Sequence, residues 1–201
     1  AKEFATDSIV VSDTVWVSRG KPSISSGLRG LQRFTFHLQT AATDAHSGTT
    51  GGAARNPVAE LCQLAAEMHD ARTGRAKIPG FYDDVAPLSR QEAQDFKASG
   101  FSVSRFMKDH GFRSLRTKDP LEVMKRLWAL PTFEVHGLVG GYSGPGVKTV
   151  VPPQAELKVS VRLVPDMRPA KIARAVRAFV KKRNPDVRIE TEPPALFFKG
   201  H

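Results

Sequence analysis

The chain has 201 residues, 40% of them hydrophobic and 25% charged, which suffices for one sizeable globular domain plus an attachment. No run approaches 18 consecutive apolar residues, so a membrane-spanning helix is excluded, and the first residues lack the apolar core of a signal peptide. A single cysteine, Cys62, excludes an internal disulfide and a cysteine-rich zinc motif and fits a reducing cytoplasm, while the net charge of +10 raises a nucleic-acid partner as one reading.

Residues 8–17 begin as a buried-type strand that runs into Asp13 and then into the turn Arg19-Gly20-Lys21-Pro22. A carboxylate at such a strand tip is either a catalytic or metal-binding group or the cap of the turn. Over residues 28–42, Phe34, Phe36 and Leu38 alternate with Arg33, Thr35 and His37, which predicts a strand with one buried face. A loop rich in Gly, Ser and Thr spans Thr43 to Arg55. A helix then follows, with Asn56 as N-cap and Pro57 in its first turn. Its apolar stripe is Val58, Leu61, Cys62, Ala65, Met68 and His69, with Cys62 read as a small buried hydrophobe and the end placed near Asp70.

Residues 75–131 are less regular. Ser89-Arg90-Gln91-Glu92 has the form of a capping box, so a helix is predicted from there to about Ser99, with short helices around 104–110 and 120–130. Thr132–Val139 reads as a strand with Phe133 and Val135 on one side and Glu134 and His136 on the other. Gly140–Gly146 is a loop. Ala155–Val164 is the clearest strand, with Ala155, Leu157, Val159, Val161 and Leu163 inward and Glu156, Lys158, Ser160 and Arg162 outward. A helix after Pro169 buries Ile172, Val176, Phe179 and Val180. It carries much of the positive charge, in Lys171, Arg174, Arg177, Lys181, Lys182 and Arg183. A last strand spans 187–191. The order is that of an α+β, ferredoxin-like β-α-β-β-α-β sandwich: a four-stranded antiparallel sheet, two main helices on one face, and a helical insertion over about 75–131.

Several catalytic signatures are absent. The sequence has no H-E-x-x-H, no H-x-D, no G-x-S-x-G elbow and no phosphate-binding G-x-x-x-x-G-K loop. Four clusters nonetheless end strands or sit in glycine-rich turns, where function concentrates. They are Val11–Trp16, Asp44-Ala45-His46-Ser47-Gly48 with Gly51-Gly52, Gly146–Pro152, and Ser160–Pro165. Together with Lys21–Ile24, Gly27-Leu28-Arg29-Gly30, Ile78–Tyr82, Val135-His136-Gly137 and Gly140-Gly141-Tyr142, they resemble the carnosinase-like dipeptidases. These belong to the aminoacylase and carboxypeptidase type of di-zinc metallopeptidases, peptidase family M-twenty.

The resemblance implies an enzyme with a two-zinc catalytic domain and an inserted lid that makes a homodimer. It divides the chain into a catalytic-domain remnant at 1–27, the lid at 28–194 and the start of a return linker at 195–201. It implies that Asp13 is one zinc ligand. It further implies that His46 reaches the partner subunit's site to stabilise the oxyanion, and that Thr149 and Arg162 bind the polar end and the carboxylate of a dipeptide. A donor about 3 Å from the oxygen that gains charge is what such chemistry needs, and a guanidinium fork suits a carboxylate. The remaining zinc ligands and the family's adjacent Glu-Glu pair, which activates water, have no match here. The chain is therefore expected to be part of a longer cytoplasmic hydrolase, to bind no zinc stably by itself and to be inactive alone. The alternative is a basic ferredoxin-like nucleic-acid-binding module, favoured by the charge and by the aromatic alternation Arg33-Phe34-Thr35-Phe36.

Overall fold

In the computed structural model of the chain, residues 27–195 and the backbone of 198–199 are described. The strand expected at 8–17, Asp13 at its tip, and nearly all of the 1–27 and 195–201 segments lie outside those residues.

The first long strand, β1 (Gly30–Gln39), follows its alternation: Phe34, Phe36 and Leu38 are fully buried. Helix α1 (Pro57–Met68) begins as expected, the Asn56 side chain accepting the N–H groups of Val58 and Ala59 ahead of Pro57 in the first turn. Its buried stripe is Leu61, Leu64 and Met68, at the three-to-four spacing of one helix face. Cys62 corrects the sequence reading, because one residue on from Leu61 is a rotation of about 100° and its thiol is exposed. The helix also stops at Met68. Asp70 accepts the N–H groups of Arg72 and Thr73, so a tight turn replaces the next helical turn, and His69–Asp70 pairs with Arg75–Ala76.

The insertion carries α2 (Arg90–Ala98), α3 (Val103–Asp109) and α4 (Pro120–Met124). The capping box at Ser89 and Glu92 forms in both directions. Past α4 the chain widens into a π-turn at Lys125–Ala129, closed by the Leu130 N–H on the Lys125 carbonyl at 2.9 Å. Phe96, Phe101 and Trp128 meet edge to face and hold the insertion together.

Strands β2 (Thr132–Gly140) and β3 (Gln154–Leu163), helix α5 (Pro169–Arg183) and strand β4 (Arg188–Thr191) complete the domain. The four strands form one antiparallel sheet in the order β4-β1-β3-β2. The inward residues of β1 and β3 share a single core with Leu61, Leu64 and Met68 of α1 and Ile172, Val176, Phe179 and Val180 of α5. Phe36 is 0% exposed at the centre of that core. Phe36→Ala should cost about 3–5 kcal/mol through lost burial and the cavity left behind. Urea unfolding of the domain measures it, and a loss below about 1 kcal/mol would mean that the core collapses around the gap.

A bulge interrupts the alternation of β2. His136 is an extra residue in a bulge, so Val135 pairs with Val159 and the next inward pairing is Leu138 with Leu157. Val135 lies on the same side as Phe133, as its parity predicts, but on a strand paired along one edge only among the described residues it is 45% exposed. The same bulge brings His136 Nε2 to 2.6 Å from Ser160 Oγ; Ser160 stays on the outward side that its parity predicts, opposite Arg33 and Glu134, and is buried there.

Candidate functional site

Past Gln39 the β1–β3 ladder continues as a narrow extension. Thr40 and Ala41 donate to the Pro153 carbonyl, and Ala45–His46 pairs with Val150–Val151. The loop expected over 43–55 thus contains a short strand pairing and, immediately after His46, one helical turn at Ser47–Thr50. His46 is the N-cap of that turn. Its Nδ1 lies 3.0 Å from the Gly48 amide nitrogen, and its carbonyl accepts both the Thr49 and Thr50 hydroxyls.

This arrangement fixes the imidazole. A backbone N–H can only donate, so Nδ1 accepts and the ring proton sits on Nε2. Nε2 in turn lies 3.2 Å from Thr149 Oγ1, while the Thr149 carbonyl takes the Ser47 N–H at 3.1 Å. Gly48 is required for the contact. A Cβ there would fall 2.7 Å from His46 Cε1, closer than carbon atoms approach. The result is an exposed imidazole held in one tautomer, its N–H directed at a hydroxyl whose own proton is free to point outward. A cavity of about 320 Å³ adjoins the loop, lined by Asp44, Tyr142, Lys148, Val150, Pro152 and Gln154 among others. Asp44 and Lys148 form a loose exposed ion pair across it at 3.6 Å.

His46 and Thr149 are therefore in contact. Arg162 is not with them. It stands exposed on the open face of β3, opposite Leu31 and Thr132, eight residues from Gln154, where the His46 extension begins. At the usual rise of a strand that is about 26 Å. An extended dipeptide spans only about 7 Å. One protomer's His46 and Arg162 cannot grip the same dipeptide.

Around Arg162 the structure places two groups to which the sequence reading gave no role, Arg29 and Glu134. Arg29 is partly buried. Desolvation first, and the Arg162 charge second, pull its pKa below the ordinary guanidinium value, while Glu134 raises it. Among the described residues no group of three or more His, Cys, Asp or Glu side chains could hold a metal ion, so the residues described do not fit a zinc centre. No described helix is long and apolar enough to cross a membrane.

Residues 27–188 match the sequence profile of the peptidase dimerisation domain. The chain belongs to that family. This dimerisation domain is 34% identical to the human Beta-Ala-His dipeptidase over 170 residues, which is 85% of the chain and 33% of the relative. It is 33% identical to the Cys-Gly metallodipeptidase of Candida albicans, covering 83% of the chain and 34% of the relative. It superimposes on the crystal structure of human carnosine dipeptidase 1 with a TM-score of 0.82 at 30% identity, over 97% of the chain and 42% of that structure. The chain thus spans about a third of the length of these curated relatives.

The nucleic-acid alternative loses its aromatic warrant in the fold. Phe34 and Phe36 are 1% and 0% exposed and cannot stack on bases. Part of the basic run on α5 is engaged internally. Lys171 pairs with Asp83 and Asp84, Arg183 with Glu67, and Arg177 bonds to the Thr191 hydroxyl.

Proposed function

We propose that this chain is the ferredoxin-like lid and dimerisation region of a cytoplasmic di-zinc dipeptidase, inactive by itself, that acts as a homodimer on dipeptides or related acyl-amino acids. The ferredoxin-like reading rests on the strand order β4-β1-β3-β2 with α1 and α5 in one core. The dipeptide class rests on the activities for which the relatives are named, a Beta-Ala-His dipeptidase and a Cys-Gly metallodipeptidase. The zinc chemistry belongs to residues outside the described ones, Asp13 contributing one ligand.

The observation that carries the reading is the locked imidazole. As the peptide carbonyl is attacked, negative charge gathers on its oxygen, and the donor that stabilises it must be oriented beforehand. The Gly48 N–H on Nδ1 performs that orientation for His46. The neutral ring's one N–H, on Nε2, passes from Thr149 Oγ1 to the oxyanion, and Thr149, released from it, holds the polar end of the substrate. Arg162, on the open sheet face, binds the C-terminal carboxylate. Because one protomer cannot bring these groups together, His46 and Thr149 serve the site in which the partner's arginine binds.

The test uses the full-length enzyme. It should hydrolyse a dipeptide, lose that activity to a chelator, and lose about a hundredfold to a thousandfold in kcat on His46→Ala with little change in KM. A His46→Ala enzyme of undiminished kcat would remove the oxyanion role. Turnover by residues 1–201 alone would contradict the dependence on outside ligands.

A further inference from the structure

Among the described residues, the corner of the sheet around Arg162 sets Arg29 and Arg162 against one carboxylate, Glu134. Arg29 precedes β1 directly, and with Gly30 opposite Leu163 and Leu31 opposite Arg162 it lies diagonally across from Arg162. Its Nη1 donates to the carbonyls of Arg126 and Leu130, at 3.5 and 3.3 Å. Those carbonyls belong to the π-turn and to the residue that closes it, at the end of the insertion. Among the described residues both of its hydrogen bonds use Nη1, which leaves Nε and Nη2 for another acceptor. Arg126 is itself tied down through Glu122 and the Thr73 carbonyl. The anchor that holds Arg29 is thus part of a braced structure.

Two guanidiniums side by side, one of them partly desolvated, repel each other unless an anion lies near. Glu134 is the carboxylate that acts on Arg29. Among the described residues, these two cations against one anion leave a single net positive charge, which one carboxylate would balance. Directly opposite Arg162 on β2 stands Thr132, whose Oγ1 is buried without a hydrogen-bond partner. A buried hydroxyl left unpaired is costly unless a ligand completes it.

We propose that Arg29, anchored by the helical insertion, is a second guanidinium of the subsite for the substrate's C-terminal carboxylate, with Thr132 as the hydroxyl beside it. This rests on the reading that Arg162 binds that carboxylate. It gives the insertion a purpose: the π-turn sets the guanidinium that selects substrates with a free C-terminus.

The experiment compares KM and kcat for a dipeptide and for its C-terminal amide in the full-length enzyme. Arg29→Gln should raise KM for the dipeptide about tenfold or more, leaving its kcat and the amide's KM near those of the unmodified enzyme. Arg29→Lys, which keeps the charge and loses the fork, should fall between them. Thr132→Val keeps the side-chain shape and should raise the dipeptide KM several-fold. It decides the matter should Arg29→Gln fail to fold, and an unchanged KM would then overturn the proposal. Arg162→Gln separates the two levels. If it leaves the dipeptide KM unmoved, the reading of Arg162 itself falls. If it raises that KM while Arg29→Gln does not, or if Arg29→Gln affects dipeptide and amide alike, the inference about Arg29 is overturned.

Discussion

Mixing a His46→Ala subunit with an Arg162→Ala subunit should restore peptide hydrolysis that neither variant homodimer shows. The expectation follows from the length of β3. His46 sits beyond one end of the sheet and Arg162 near the other; Gln154, where the His46 extension begins, is already about 26 Å from Arg162 at strand spacing, against about 7 Å for an extended dipeptide. If each site takes His46 and Thr149 from one subunit and Arg162 from the other, the mixed dimer contains one site with both defects and one with neither. The intact site works at its ordinary rate. If both groups came from the same subunit, every site in the mixture would carry one defect and nothing would be regained. The contrast is large because loss of an oxyanion donor costs about a hundredfold to a thousandfold. Subunit exchange followed by a rate assay reads it directly. No recovery after verified exchange would place both groups in one protomer's site and demand a rearrangement of the His46 extension.

What the sequence disclosed follows the range of the forces involved. The alternation of Phe34, Phe36 and Leu38, the Asn56-Pro57 start of α1 and the Ser89–Glu92 capping box are set by neighbours within a few residues, and each forms as expected. Cys62 lies off the buried face of α1, whereas the exposure of Val135 and the burial of Ser160, each on the side its parity gives, depend on distant elements. Val135 stands on an edge strand, and a bulge delivers His136 to Ser160. His46 stood out through its glycines. Its tautomer was not legible, since that depends on where the Gly48 amide points. Arg29 carried no visible signal beyond lying in a quoted motif, because its carbonyl partners are 97 and 101 residues away.

The edge strand β2 leads to the other large effect. Among the described residues it pairs only with β3, leaving a row of backbone donors and acceptors open on its far side. Edges are ordinarily guarded by charge or proline. Here the stretch Gly137-Leu138-Val139-Gly140 has neither, and Val135, Leu138 and Val139 are 45%, 38% and 60% exposed. Val135 and Leu138 both lie on the helix side of the sheet, where the bulge places them opposite Val159 and Leu157. In a dimerisation domain this edge fits a second copy of itself, because a two-fold axis buries the same apolar pair from each subunit. Val135→Asp combined with Leu138→Asp should therefore convert the full-length dimer to monomer in sedimentation velocity while leaving the core, and with it the thermal midpoint of the isolated domain, little changed. Activity should fall as far as it does in His46→Ala, since a monomer is deprived of the neighbour's imidazole. A variant that stays dimeric would place the interface elsewhere. A monomer that keeps its activity would show that the His46 serving each site comes from the same subunit, which would also cancel the complementation expected above.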